Sequence, residues 1–271
     1  PTQMLAITYL KARGIKYILS SDGGFVKKDT ALQRALKSFF ISGAQMYFAS
    51  SRGTEKYLRY YGAKTKVVIY PFTTKMAQEL PNDITSDDEK VKLRKKLGIP
   101  MGKKIVLCVG QFIHRKGIDI LIQSAAKLDE SYYFLCIGGK VTPEYRKLCD
   151  KYGVYNIEFI EFMQQNILSD YYKASDIFVL PTREDIWGLV INEAMSYGLP
   201  VITTDNCLAG TELVVDGKNG YIVPVDNVEE TAYAINKVFS SEKRRYMMQE
   251  NNYKKMKVNY TIEKMALAHY E

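Results

Sequence analysis

The sequence predicts an α/β protein of two doubly wound domains with parallel sheets, and three observations predict it. Short apolar runs of strand length alternate with helix-period patterns along most of the chain, as in βαβ units. Runs such as KKIVLCVG are apolar throughout, which suits strands covered on both faces. A polar, proline-punctuated stretch, TTKMAQELPNDITSDDEKVKLRKKLGIP, divides the alternation into two series and reads as a boundary. Each series makes one Rossmann-like domain. A chain of 271 residues is long enough for two modest cores.

The elements follow in order. KYILSS reads as a strand, TALQRALKSFFISGA as a helix and QMYFASS as a strand. SRGTEKYLRYYGA is a helix with Ser51 before it and Gly62 near its end, residue types that suit a cap and a stop. KVVIYPF closes the first series. In the second, KKIVLCVG is a strand, and GIDILIQSAAKL puts Ile118, Leu121, Ile122 and Ala125 on one helix face. YYFLCIGG, NIEFI, DIFVLPT and PVITT are further strands, separated by the helices PEYRKLCDKYG, ILSDYYKAS and LVINEAMSYG. VEETAYAINKVFSSEKRRYMMQ and NYTIEKMALAHYE make a helical end. The expected organisation is a domain over 1–75, a linker over 76–100, a domain over 101–255 and a terminal helix over 256–271.

Composition narrows the classes. Hydrophobic residues at 46% and charged residues at 25% are globular values. No apolar run reaches the length of a membrane span, and no signal peptide opens the sequence. Cys108, Cys136, Cys149 and Cys207 lie without metal-ligand spacing and the histidines number 2, so reduced buried thiols in a cytoplasmic protein and no metal site are expected. The net charge of +8 is uneven: residues 1–75 hold 13 Lys/Arg against 3 Asp/Glu, and the remainder 25 against 27. A basic, tyrosine-rich first part is either a solvated face or an attraction to an anionic membrane surface or acidic substrate. No nucleic-acid recognition motif accompanies it.

Ligands of open parallel sheets bind beyond the carboxyl ends of the strands. Two loops there carry chemistry. VGQFIHRKGID sets Arg115 and Lys116 directly before a helix, where cations, unpaired amides and the helix dipole together suit a phosphate. TREDIWGLVINEAM brackets the only tryptophan with Asp185 and Glu193. Gly188 lets a ligand approach the backbone, with the amides of Leu189 and Val190 pointing outward. Taken alone, the acids could equally complement the helix dipole.

The stretch PTREDIWGLVINEAMSYGLPVI closely resembles the nucleotide-binding motif of glycosyltransferase family 4, retaining enzymes of the GT-B fold. Two acids separated by seven residues, an aromatic-Gly pair between them and Glu-Ala-Met are shared. VGQFIHRKGID resembles the diphosphate loop of that family, and YKASDIFVLPT and TELVVDGKNGYIVPVDN extend the likeness over about residues 100–240. The resemblance implies a GT-B-like protein whose N-terminal Rossmann-like domain is incomplete, since residues 1–75 match only the later half of an acceptor domain.

It also implies roles. Glu193 accepts from the donor ribose hydroxyls, Asp185 holds a hydroxyl of the transferred sugar, and Lys116 with Arg115 grips the diphosphate. Gly110 and Gln111 belong to that loop, and Gly188, Leu189 and Val190 give backbone amides. The nucleobase lies near the backbone of Phe162. Asp22, in ILSSDGGF, stands where the family often carries a functional histidine, though Asp-Gly-Gly is also an ordinary turn. His114 is expected to be a loop residue. The implied partners are a nucleotide-diphosphate sugar and a glycan or lipid-linked acceptor in cell-surface polysaccharide biosynthesis, with no cofactor and a peripheral position on the inner membrane face. Two residues depart from the pattern: Asp185 stands where Glu is usual and Gln111 where Arg is usual. Rival readings are a nucleotide-sugar-binding fragment without turnover, a GT-B epimerase, and a glycosidase using the acid pair.

Overall fold

The structure, a computed structural model, describes residues 2–270. It packs as two units, one taking in the chain up to Thr74 and from Tyr260 onward, the other Lys75–Asn259. In the smaller unit α1 (Thr2–Ala12), β1 (Ile18–Ser21), α2 (Ala31–Ile41), β2 (Met46–Ala49), α3 (Arg52–Tyr60) and β3 (Lys66–Ile69) follow one another. The strands form a parallel sheet in the order β1-β2-β3. Thr30 and Gln33 make a reciprocal capping box on α2, and Ser51 caps α3. The core is small: Ala44, Tyr47, Ala49, Leu58 and Ala63. Helix α1 was not legible in the sequence, and it buries no residue.

The larger unit runs α4 (Asp87–Leu97), β4 (Lys104–Val109), α5 (Ile118–Ala125), β5 (Tyr132–Ile137), α6 (Pro143–Tyr152), β6 (Ile157–Ile160), α7 (Gln165–Ala174), β7 (Ile177–Leu180), α8 (Leu189–Ser196), β8 (Val201–Thr204), α9 (Leu208–Leu213), β9 (Gly220–Val223), α10 (Val228–Phe239) and α11 (Glu242–Asn259). Its six strands are parallel in the order β6-β5-β4-β7-β8-β9. Strand direction of progression reverses between β4 and β7, so the crevice of this sheet opens where their two loops leave. Every residue of Ile105–Val109 and of β7 is buried, which explains their unbroken apolar character. The helix face foreseen in α5 is buried as a whole.

Residues 76–100, expected as a linker, carry ordered structure. A 3-10 turn spans Ala77–Glu79, and α4 is capped by Ser86, acidic at its start and basic at its end, in the sense that complements the dipole. Lys90 and Arg94 of α4 lie 3.3 and 2.9 Å from the Asp176 carboxylate, which also accepts from the Ile105 amide at 2.8 Å. Burial pulls the Lys90 pKa down against the attraction of Asp176. Two of the charged residues that made this stretch look like a spacer, Lys90 and Arg94, thus meet at one buried anchor. The terminal helix α12 (Ile262–Tyr270) packs in the smaller unit against β3. There His269 stacks on Phe48 with centroids 4.3 Å apart. No helix among the described residues is long and apolar enough to cross a membrane. The four cysteines are buried free thiols.

Candidate functional site

The loop after β4 is built to carry a cation inward. Residues His114–Lys116 form a single 3-10 turn ended by Gly117 at φ +70°. A Cβ on Gly117 would stand 1.9 Å from the Pro181 carbonyl oxygen, so the close approach of the two loops requires glycine. The loop after β7 is tied to it: the Arg183 amide and Thr182 Oγ1 donate to the Arg115 carbonyl at 2.8 and 2.9 Å. Arg183 also forks onto Asp119 at 2.8 and 2.6 Å and reaches Asp226 at 2.7 Å. Burial alone would raise the Asp119 carboxyl, but the Arg183 bonds win and hold it below its ordinary value.

Asp185 sits in the second loop with its backbone paired to Asn206 and Leu208. Its carboxylate is buried and bound by Lys116 Nζ, with Arg115 Nη1 3.7 Å away. Trp187 is buried too, and its indole N–H donates to Asn192 Oδ1 at 2.8 Å. The tryptophan at the head of α8 is therefore a packing residue that fixes the loop. Gly188 begins α8 at φ +90°, and no side chain caps this end of the helix. A Cβ there would lie 3.1 Å from Cys207 Sγ.

One turn further, partly buried Glu193 is held by neutral donors. Tyr172 Oη donates to Oε2 and Gln165 Nε2 to Oε1, each at 2.9 Å. Burial pushes the Glu193 carboxyl up, opposed by the Tyr172 bond, the charge of Lys75 and the Gln165 bond. Between the two halves lies a cavity of about 650 Å³ lined by Gly110, Gln111, Arg115, Lys116, Phe162, Val190 and Glu193 among others. That size suits a nucleotide-scale ligand.

Most of the residues singled out in the sequence are thus brought to one place. Asp185 reaches the cavity through Lys116, and Gly188 and Leu189 stand at the head of α8 beside Val190. Asp22 belongs to the smaller unit, where its carbonyl accepts from Ser50 Oγ at 2.6 Å. His114 lines a different cavity of about 430 Å³ with Phe112, Asp119 and Tyr145. Sequence reasoning missed Tyr172, Gln165 and Gly138. The signal for the last was there, a glycine pair ending an apolar strand: Gly138 has φ +144°, and a Cβ on it would fall 2.3 Å from the Gly110 carbonyl oxygen.

A six-stranded parallel sheet whose switch-point loops frame a cation-bearing cavity defines a doubly wound α/β protein with its candidate site at the switch point. The family model described as glycosyl transferases group 1 matches residues 89–255, and the chain belongs to that family. It is 29% identical over 241 residues to a lipopolysaccharide core biosynthesis mannosyltransferase, LpsB, of Rhizobium meliloti, covering 85% of this chain and 65% of that protein. It is 30% identical over 188 residues to spore coat protein SA of Bacillus subtilis, covering 65% of this chain and 49% of the relative. The chain spans about half the length of most curated relatives it matches. Among solved structures, Anabaena HepE in complex with UDP superposes with a TM-score of 0.83 at 18% identity, over 99% of this chain and 74% of that one. Sucrose-phosphate synthase from Thermosynechococcus elongatus gives 0.79 at 22% identity, over 98% and 70%. The fold is accordingly α/β of the GT-B type.

Proposed function

We propose that the chain is the donor-binding part of a retaining glycosyltransferase that moves a sugar from a nucleotide-diphosphate sugar to a glycan or lipid-linked acceptor in surface polysaccharide assembly. One observation carries this reading: a single cavity joins the Lys116 loop to Glu193, a cation at one end and an acceptor-only carboxylate at the other. The Rhizobium relatives named for lipopolysaccharide core biosynthesis and the HepE crystals with UDP and UDP-glucose support it.

In this reading Glu193 accepts from ribose hydroxyls, because a carboxylate takes O–H donors and offers none. The diphosphate lies against Lys116, Arg115, the Gly110–Gln111 backbone and the amides at the open end of α8. Its departure is the step to be helped, and cations and N–H groups placed in advance stabilise the charge that develops on it. No metal ion is needed for that task. Lys116 is shared: as the phosphate takes its charge, Asp185 is released toward a hydroxyl of the sugar. The acceptor oxygen attacks the anomeric carbon from the side the phosphate leaves, and a leaving-phosphate oxygen takes its proton, so no protein nucleophile is invoked. Asp22 is assigned to the acceptor side.

The smaller unit exposes Met4, Leu5 and Tyr9 on α1 within the basic part of the sequence, which supports peripheral binding to anionic lipid. A thermal-shift screen of nucleoside diphosphates and their sugars tests the donor site: stabilisation by at least one of them, reduced in Glu193→Ala, is expected. Indifference to all of them would sink the transferase reading. Flotation with anionic vesicles at low salt tests the surface, and protein left at the bottom of the gradient removes it.

A further inference from the structure

Glu193 has two neutral donors, and they differ in kind. Gln165 stands at the start of α7, exposed, and its side chain lines the cavity. Tyr172 is buried to 1% exposure two turns further along the same helix. Its ring lies parallel to that of Tyr197, centroids 5.3 Å apart at 6°, and is tilted on Phe178 of β7 at 6.1 Å. Tyr197 itself ends α8, donating its amide to the Glu193 carbonyl at 3.3 Å. A ring packed on both sides has its few torsions fixed, so its hydroxyl occupies one point. A flexible, exposed amide gives way to a better donor at little cost.

We infer that Tyr172 is a positioning residue: its hydroxyl, set by stacking on Tyr197, holds Glu193 Oε2 and leaves Oε1, whose other donor Gln165 is exposed, for a ribose hydroxyl. This rests on the donor-site reading above and adds to it how the ribose contact is aimed. Burial and the neighbouring carboxylate push the Tyr172 hydroxyl well above its ordinary pKa, so it stays a donor throughout the working pH range.

The test uses the whole chain and equilibrium binding. UDP, GDP and ADP are titrated by calorimetry, and the tightest is compared with its 2′-deoxy form in the wild type, Tyr172→Phe and Gln165→Ala. The wild type is expected to favour the ribonucleotide by about tenfold, the effect of one hydrogen bond to a charged group. In Tyr172→Phe that preference should shrink to within about twofold, while the deoxynucleotide binds as in the wild type. Gln165→Ala should keep the preference. A purely structural role for Tyr172 would weaken both nucleotides equally and is thereby distinguished. Retention of the full preference in Tyr172→Phe overturns the positioning role while leaving the donor site standing. A wild type without preference, or without binding, removes the ribose role of Glu193 and this inference with it.

Discussion

Asp185 and Glu193 are eight residues apart in sequence, yet the structure treats them as different devices. Asp185 is held by charge, with Lys116 on one oxygen and Arg115 nearby. Glu193 is held by direction, through one phenol and one amide. A carboxylate paired with a cation is available only when something else satisfies the cation, which is what a diphosphate does. In the proposed donor site, a carboxylate bound mainly by neutral donors, with Lys75 adding its charge, keeps spare lone pairs for a ligand. The same residue class thus serves as a counter-ion in one half of the cavity and as a fixed acceptor in the other.

The strongest way to break that contrast is Lys116→Ala. The variant should lose at least about 100-fold in kcat/KM, some 2.7 kcal/mol of transition-state stabilisation, measured with a donor identified by the screen. It should also be less stable in urea, since removing one partner strands a buried charge. Adding Asp185→Asn ought to restore most of the stability and none of the turnover. A double variant as unstable as the single one would show that Asp185 does not depend on Lys116.

Gly117→Ala comes next. The new methyl group would meet the Pro181 carbonyl in a left-handed backbone, at a cost of about 2 kcal/mol, read as a lower urea midpoint. The effect should reach the cation half first: diphosphate affinity falls while the ribonucleotide preference set at Glu193 persists. Loss of both together would mean the two halves are mechanically one.

Legibility followed the same division. The strands β4 and β7 were readable because burial on both faces leaves an unbroken apolar run, and Gly188 because an open turn before a helix has few other uses. The two loops stood out for local reasons too, whereas the acids, which taken alone could equally complement the helix dipole, were singled out by the family resemblance. What joins them was not. Lys116 and Asp185 meet across 69 residues, and Tyr172 reaches Glu193 across 21, contacts that no spacing encodes. Tyr172 lay inside a helix pattern as one tyrosine of 21, indistinguishable from core. Segment 76–100 misled because a short helix carrying eight charged residues in DDEKVKLRKKL looks solvated until its buried partner, Asp176, is known.

Salt sharpens the contrast further. Raising ionic strength from about 0.05 to 0.3 M shortens the screening length roughly 2.5-fold. Nucleoside diphosphate affinity should fall several-fold, because the Arg115 contribution is half exposed. The ratio of ribonucleotide to deoxynucleotide affinity should stay constant, because it rests on short hydrogen bonds. A ratio that drifts with salt would show that the charge of Lys75 on Glu193, and not the hydrogen bonds alone, sets the ribose contact.

The smallest effect is on folding. Burial holds the Glu193 carboxyl above its ordinary 4.5, so the native state binds this proton more tightly than the unfolded chain does. The stability linked to it is therefore complete below pH 4.5 and is lost as pH rises through the native value. At pH 7 the wild type carries a buried charge that Glu193→Gln does not, while the amide oxygen of Gln still accepts from Tyr172. Glu193→Gln should then gain stability at pH 7 and nothing well below pH 4.5, read from urea midpoints at the two pH values. It should lose ribonucleotide preference at the same time, because an amide offers a donor where the ribose needs an acceptor. Stability that rises as binding falls would mark Glu193 as a residue kept for its ligand; a destabilised Glu193→Gln at pH 7 would make it part of the scaffold instead.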